Sequence, residues 1–207
     1  MTNNNYTTLA TDESIQRTKA ALEKNGFRVM VAENGEEAKN MLLEILPKGA
    51  EVMENTSTTL DQIGVSEVIN ESGDYNSIHK KVLTMDREKE GKEIGRMRSV
   101  SDWAIGSFHA VTEDGKIMMA SGSGSQLPGY VYGATNVIFV AGTHKIVKDM
   151  DQGFDRIYTH SLPLESERID RVYNTTGGSH PRRILIMNSE KNPERTTVIL
   201  VKEVLGF

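Results

Sequence analysis

Three stretches of the sequence combine small, hydroxyl-bearing and cationic side chains, which are the groups that bind anions. They are residues 55–59 (NTSTT), residues 121–126 (SGSGSQ) and residues 142–145 (GTHK). Glycine lets a backbone approach an anion closely, a hydroxyl group donates a hydrogen bond, and the ammonium group of Lys145 adds a positive charge. The chemistry that this composition indicates is binding of a phosphate or a carboxylate group.

The candidate ligand-binding residues are the polar and glycine positions of these stretches. They are Thr56, Ser57, Thr58, Thr59, Gly122, Ser123, Gly124, Ser125, Gln126, Gly142, Thr143 and Lys145. Each stretch alone is also typical of a connecting loop or a helix cap, and the sequence contains neither a GxGxxG nor a P-loop pattern. Position favours a ligand site, because each stretch follows a predicted strand and ligands of open α/β sheets bind at the carboxyl ends of strands.

Glu113 and His144 are the candidates for a catalytic base. His144 lies next to Lys145 in the third stretch, whereas Glu113 opens a Glu-Asp-Gly sequence that is equally typical of a tight turn. His109 falls within a predicted strand and is interpreted as a packed histidine. The histidines show no spacing typical of metal ligands, so no metal site is predicted.

The composition restricts the class of protein. The chain has 207 residues, which predicts one domain over residues 12–207 with a flexible arm over residues 1–11. It contains no cysteine, which excludes a cysteine nucleophile, a disulfide and an iron–sulfur cluster bound by this chain. The net charge of −5 argues against nucleic acid as a partner, and the lack of a long apolar run argues against a membrane span. Because residues 1–10 do not resemble a secretory signal, we expect a cytoplasmic protein.

The first elements that must position these side chains alternate between helix and strand. Helices are predicted over residues 12–25, capped by Asp12, and 35–46, capped by Asn34; strands are predicted over residues 27–32 and 51–54. This order predicts a parallel sheet with crossover helices, that is, an α/β fold.

The rest of the chain adds strands on both sides of the candidate stretches. Residues 104–112 and 116–120 are predicted to pair as a hairpin around the Asp-Gly turn, residues 136–141 are the most apolar strand, and residues 149–158 are predicted to be a helix. The charged residues 65–100 are expected to form helices over the sheet. After Pro163 the pattern is irregular until two β-rich runs, at residues 183–187 and 196–201.

Several of these segments resemble the LUD-domain family of lactate-utilisation proteins. The likeness is carried by residues 110–117 (AVTEDGKI), by the Gly/Ser stretch from Ser121 and by residues 132–149 (YGATNVIFVAGTHKIVKD). It extends to residues 49–64 and 198–207, so it touches most of the chain. Many relatives have proline where this chain has Ala134 and asparagine where it has His144.

The resemblance implies a fold and a biological setting. The fold is a three-layer α/β sandwich with a mostly parallel central sheet, like that of sugar-phosphate isomerases, CoA transferases and formyltetrahydrofolate cyclo-ligases. The setting is L-lactate oxidation, in which related proteins work with iron–sulfur partner subunits. Many relatives carry a cysteine-rich segment before the last strands, whereas the corresponding residues 174–180 have none. This chain is therefore expected to hold no cofactor of its own.

Three functional hypotheses stay open from the sequence. In the first, the chain is an accessory protein that binds a small anionic metabolite, with iron–sulfur oxidoreductase subunits as partners that move the electrons. In the second, it is an assembly module without catalysis that has lost the cysteine-rich segment and forms homo- or hetero-oligomers. In the third, it is a hydrolase or isomerase that uses Glu113 or His144 as a base. Whether the protein is an enzyme is left undecided.

Overall fold

A parallel six-stranded sheet forms the centre of the protein, which we describe from a computed structural model covering residues 6–207. The strands are β1 Arg28–Ala32, β2 Glu51–Glu54, β3 Asn76–Ser77, β4 Ser101–Gly106, β5 Ala110–Thr112, β6 Ile117–Ser121, β7 Ala134–Gly142, β8 Ile146–Val147, β9 Arg183–Met187 and β10 Thr196–Val201. The central sheet has the order β1-β10-β7-β4-β2-β3, and all its pairs are parallel. The predicted parallel α/β sheet is confirmed.

Eight α-helices connect and cover these strands in the described part of the chain. They are α1 Asp12–Lys24, α2 Gly35–Ile45, α3 Thr58–Gln62, α4 Val65–Glu71, α5 Ile78–Leu83, α6 Arg87–Ser99, α7 Met150–Arg156 and α8 Leu162–Tyr173. The Asn34 side chain caps α2 as predicted, by accepting a hydrogen bond from the Glu37 amide. The prediction for α1 is wrong by one residue, because Thr11 is the cap and Asp12 begins the helix.

The two faces of the central sheet are buried against different layers. Along β7, Ile138 and Val140 face a core shared with α2, α3 and α4, whereas Val137 and Phe139 face a core shared with α1 and a second sheet. This alternation is what a strand buried on both faces requires. The result is the three-layer α/β sandwich that the resemblance implied.

The second sheet, of order β8-β5-β6-β9, contains the predicted hairpin. Strands β5 and β6 are antiparallel, and Gly115 has a φ of +82° in the turn between them, which is a conformation that glycine adopts without strain. The predicted long strand over residues 104–112 is wrong, however. It is two strands in two different sheets, β4 and β5, separated by residues 107–109. Residues 107–109 therefore form a connection between the two sheets, and their side chains can line a cavity there.

The predicted irregularity after Pro163 is also wrong. Helix α7 continues through a π-helical turn, Ile157–Ser161, directly into α8, which extends to Tyr173. Pro163 lies in the first turn of α8, where a missing backbone N–H is tolerated. The π turn before it marks the shift in hydrogen-bonding pattern that accommodates the proline.

The proposed flexible arm, residues 1–11, lies in part outside the described residues, which begin at Tyr6. Tyr6 itself is buried, and its hydroxyl group donates a hydrogen bond to Asp155 Oδ2 at 2.5 Å. The arm therefore contacts α7 at this residue. Within residues 6–207, no helix has the length and apolar character that crossing a bilayer requires.

Candidate functional site

A cavity of about 750 Å³ opens at the carboxyl end of the central sheet. Three neighbouring strands, β7, β4 and β2, end at its floor and are followed there by Lys145, Ser107 and residues 55–59, respectively. The Gly/Ser stretch after β6, the π turn before α8 and α8 itself complete the wall. Adjacent parallel strands end at one edge of a sheet, and that edge is where α/β folds bind ligands.

The structure brings the three candidate stretches together around this cavity. The candidates that line it are Thr56, Ser57, Thr58, Thr59, Gly122, Ser123, Ser125, Gln126 and Lys145. Gly124, Gly142 and Thr143 do not line it: Gly124 has a φ of +83° and shapes the turn, while Gly142 and Thr143 are buried behind it. Only two stretches follow parallel strands, since the strand before residues 121–126 belongs to the second sheet.

Lys145 is the cation at the floor of the cavity. Its side chain is 2% exposed, and its ammonium group donates to Thr59 Oγ1 at 3.2 Å and to Ser107 Oγ at 3.1 Å. No carboxylate within residues 6–207 forms an ion pair with it. Burial lowers the pKa of Lys145 well below its usual value, and the positive charge of Arg156 lowers it further.

Arg156 lies behind the cavity wall and is completely buried. Its Nη1 donates to the His109 carbonyl oxygen and to Ser161 Oγ, and both of those residues line the cavity. Its Nε and Nη2 have no hydrogen-bond partner among the described residues. Burial lowers the pKa of Arg156 to about 10, so the guanidinium group stays charged at neutral pH.

His109 lines the cavity, and the prediction that it packs within a strand is wrong. Its Nδ1 accepts a hydrogen bond from the Ala120 amide at 3.2 Å, which places the proton of the neutral ring on Nε2. Burial lowers the pKa of His109 to about 3, with the charges of Lys145 and Arg156 acting in the same direction. The ring is therefore neutral over the physiological range.

The two candidates for a catalytic base are outside the cavity lining. His144 is buried beside Lys145, and neither of its ring nitrogens has a well-formed hydrogen bond within the described chain. Burial lowers the pKa of His144 to about 3, an effect that the Gly206 backbone opposes only weakly. Glu113 accepts hydrogen bonds from Ser14 Oγ at 2.6 Å and from Arg17 at 2.9 Å, so it joins α1 to the hairpin turn.

Sequence reasoning missed several residues that line the cavity. Ser107 follows β4 and could have been found by applying the strand-end rule to that strand, had β4 and β5 not been merged. Arg98 on α6 and the Glu165–Arg168 pair on α8 have no sequence signal, because both helices look like solvated surface. Within residues 174–180, predicted to be the place of a lost cysteine-rich segment, Thr175 and residues 177–180 form part of the wall.

No metal site is evident in the described part of the chain, where no group of three or more acidic, histidine or cysteine side chains converges. The polar groups at the cavity floor are an amine, hydroxyl groups and a neutral imidazole. These groups bind anions and carbonyl oxygens by donating hydrogen bonds, whereas a divalent cation needs acceptor oxygens in numbers that this floor does not offer.

Comparison with known proteins places this architecture in a family. The LUD domain matches residues 15–201. A similar solved structure is a DUF162 family protein from Deinococcus radiodurans, with a TM-score of 0.57 and 12% identity over 94% of this chain and 99% of that chain. At this identity the likeness shows the fold alone. A comparison with curated proteins finds no significant match. Because the domain match spans most of the sequence, the chain belongs to the LUD domain family.

Proposed function

We propose that this protein binds a small carboxylate- or phosphate-bearing metabolite in the cavity at the carboxyl end of the central sheet. The single observation that carries the proposal is the positive charge of the fully buried Arg156, which forms no ion pair within residues 6–207 and lies close enough to the Lys145 amine at the cavity floor to lower its pKa. A buried charge is destabilising unless it is paired and hydrogen-bonded. An anion from solution would complete the pairing.

The surroundings of the two cations favour an anion over a neutral ligand. Glu165 is the carboxylate that lines the cavity, and it is already bound by Arg168 through two hydrogen bonds of 2.6 and 2.8 Å. The hydroxyl groups of Thr59 and Ser107 at the floor accept from Lys145 and donate to the Leu205 and Phe108 carbonyl oxygens, so they add no negative charge that would repel an anion. Burial and the charge of Arg156 lower the pKa of Lys145, and a bound anion would raise it. Binding is thus expected to be coupled to proton uptake.

The volume of the cavity indicates the size of the ligand. A volume of about 750 Å³ falls in the range of about 300–1,000 Å³ that small-molecule sites occupy. It exceeds what a three-carbon hydroxy acid needs. A larger metabolite, or a small acid beside a group supplied by a partner, would fill it better.

We place this binding in L-lactate metabolism, as the family name suggests. In this role the chain is an accessory subunit that holds the acid or its product, and iron–sulfur partner subunits carry the electrons. The sequence has no cysteine to bind a cluster, so an electron-carrying group would have to come from elsewhere. The proposed location is the cytoplasm.

A thermal-denaturation series tests the binding proposal. The purified protein is heated with L-lactate, pyruvate, inorganic phosphate and sugar phosphates at equal ionic strength. A ligand present at 100 times its dissociation constant should add about 2.7 kcal/mol to the free energy of unfolding. The matched variants are Lys145→Met, which should lose the effect, and Lys148→Met, which changes an exposed lysine three positions away and should retain it. No stabilisation by any anion would contradict the proposal.

A second candidate function, assembly, is favoured by one surface feature. Val100, Val131 and Tyr132 are exposed, the last by 90%, and the close approach of Gly133 to the Ser99 carbonyl brings their two segments together. Exposed apolar side chains in one patch are typical of protein contacts. Light scattering at micromolar concentration tests this role. A monomer, alone and with iron–sulfur partners, would contradict it, as would an oligomer that is unchanged by Tyr132→Ser.

A further inference from the structure

We propose that Lys145 is a nucleophile that condenses with the carbonyl group of a 2-oxo acid in the cavity and forms an imine. The proposal rests on the proposed function, because it takes the anionic ligand of that site to be a carboxylate with a neighbouring ketone or aldehyde. It goes further in assigning covalent chemistry to one amine.

The position of the amine is the first support. Lys145 Nζ is buried, yet the residue lines the cavity, so a ligand can reach the amine while bulk water is largely excluded. Its two hydrogen-bond partners are the hydroxyl groups of Thr59 and Ser107, at 3.2 and 3.1 Å. A lysine that is needed only for stability is usually paired with a carboxylate when it is buried. A hydroxyl group can accept a hydrogen bond from an amine without stabilising its protonated form as a carboxylate would.

The charges around the amine are the second support. Arg156 presents a positive charge from α7, and the nearby rings of His109, His144 and His160 are uncharged at neutral pH because burial lowers the pKa of each. The carboxylate of Glu165 is engaged by Arg168 on the same helix, α8. Desolvation and a neighbouring cation both lower the pKa of a lysine and so increase the fraction present as free amine. Lys145 has both.

The reaction is an ordinary condensation. The lone pair of the neutral amine attacks the carbonyl carbon, and the carbonyl oxygen takes a proton while the nitrogen gives one up, which leaves a carbinolamine. The hydroxyl group of that carbinolamine then takes a second proton and leaves as water, the nitrogen gives up its remaining proton, and the nitrogen–carbon double bond forms. One amine and one carbonyl give one imine and one water. Ser107 and Thr59 are placed to relay these protons, since a hydroxyl group both donates and accepts.

The cations select the carbonyl compound. Arg156 is buried behind the cavity wall, and its positive charge acts on the space around Lys145 without contact. That charge favours a carboxylate beside the carbonyl group that Lys145 would attack, which is the arrangement in a 2-oxo acid. A simple ketone lacks the carboxylate, and a hydroxy acid such as lactate lacks the carbonyl. The ligand class for which both features act together is therefore the 2-oxo acid.

Reductive trapping tests the proposal. The full chain is incubated near neutral pH with pyruvate or glyoxylate and sodium borohydride, then analysed by intact mass and peptide mapping. We expect one reduced adduct per chain, on the peptide that contains Lys145, at a pyruvate concentration that leaves the exposed Lys148 unmodified. The Lys148→Met variant should be trapped as the unchanged protein is, and Lys145→Met should not be trapped. Because mapping is done on the unchanged sequence, the result does not depend on whether Lys145→Met folds.

The outcomes separate this inference from the binding proposal. L-lactate should give no adduct and should slow trapping of pyruvate by competition. If lactate and pyruvate both stabilise the protein but neither yields an adduct at Lys145, anion binding stands and the imine is refuted. Adducts spread over exposed lysines at equal rates would also refute it. Failure of every anion to stabilise the protein, together with specific trapping at Lys145, would refute the binding proposal instead.

Discussion

Two arginines of this protein, Arg195, which is partly buried, and Arg156, which is fully buried, differ in how their charge is compensated. Arg195 is 13% exposed, and each nitrogen of its guanidinium group has a partner. Nη1 forms an ion pair of 3.0 Å with Glu190, Nε donates to the Ala134 carbonyl oxygen, and Nη2 donates to two further carbonyl oxygens. Arg156 is fully buried, with its guanidinium carbon 5.7 Å from the centre of the Tyr6 ring. Its Nε and Nη2 have no hydrogen-bond partner among the described residues, and no carboxylate pairs with it there.

The difference separates structure from function. Arg195 joins β10 to the π turn Gly129–Gly133 and is satisfied by the protein itself, so it stabilises the fold. Arg156 lies behind the cavity wall, where it lowers the pKa of Lys145, and its own buried charge is destabilising without a ligand of opposite charge. A buried charge that the fold does not pair therefore indicates where a ligand of opposite charge belongs.

The largest expected effect is that of Arg195→Ala. Removing one partner of a buried ion pair leaves Glu190 uncompensated and deprives three carbonyl groups of a donor. We expect the free energy of unfolding to fall by about 3–5 kcal/mol. Urea denaturation measures it, and Arg171→Ala, which changes an exposed arginine, should stay within about 0.5 kcal/mol of the unchanged protein. Equal losses in the two variants would contradict a structural role for Arg195.

Arg156→Met should weaken anion binding and have a smaller effect on stability than Arg195→Ala. Its removal leaves the His109 carbonyl and the Ser161 hydroxyl group without a donor, which costs at most about 1–3 kcal/mol each. Because the substitution also removes an unpaired buried charge, we expect a smaller net loss of stability than for Arg195→Ala. The stabilisation by an anion should fall, because tenfold weaker binding reduces it from about 2.7 to about 1.4 kcal/mol at the same ligand concentration. Arg156→Lys, which keeps the charge, should retain more of it. Unaltered anion stabilisation in the methionine variant would contradict the comparison.

The third expected effect concerns acid sensitivity. His144 has a folded-state pKa of about 3 against a usual value of 6.5, so between these values the unfolded chain binds more protons and acid favours unfolding. The free energy of unfolding should fall by up to about 1.4 kcal/mol per pH unit for this histidine as the pH drops below about 6.5. His144→Asn removes that contribution. Denaturation at about pH 7 and about pH 5 measures the change in slope.

Two features keep this measurement specific. The Glu54 carboxyl, whose pKa burial raises to about 7, acts in the opposite direction, but it is present in both proteins and cancels in the comparison. His180→Asn, which changes an exposed histidine, is the control and should leave the slope unaltered. A His144→Asn variant with the slope of the unchanged protein would show that His144 does not titrate with an altered pKa.

Local patterns predicted the elements better than the cavity. Asn34, the Asp-Gly turn and the apolar run in β7 each indicate an element through short-range chemistry. Helix α2 and strand β7 were predicted within two residues, and the hairpin turn was placed correctly. The floor of the cavity depends on which strands are neighbours. Lys145 and Thr59 were found because a strand-end rule places them, whereas Ser107 was hidden by the merging of β4 with β5.

Arg156 and His109 could not be found from the sequence. Each has an ordinary local context: Arg156 ends an amphipathic helix and His109 lies between two apolar stretches. Arg156 matters because two of its buried nitrogens have no hydrogen-bond partner among the described residues, and His109 matters because it lines the cavity. Both are properties of the tertiary structure. Glu113 is the converse case. Its carboxyl group, next to a second acidic residue, suggested a catalytic base, whereas its hydrogen bonds with Ser14 and Arg17 give it a role in a surface contact.

The smallest expected effect is that of Glu113→Gln, which separates these two interpretations of Glu113. The carboxylate accepts hydrogen bonds from Ser14 and Arg17, and both contacts hold α1 against the hairpin turn at the surface. Glutamine keeps one acceptor oxygen and loses the charge, so thermal denaturation should show a slight decrease in stability, below that of every variant above. Stabilisation by an anion and trapping at Lys145 should equal those of the unchanged protein, because Glu113 does not line the cavity. A marked loss of either would return Glu113 to the candidates for a catalytic base, and would mean that the hairpin turn, rather than the buried cations, governs the chemistry of this domain.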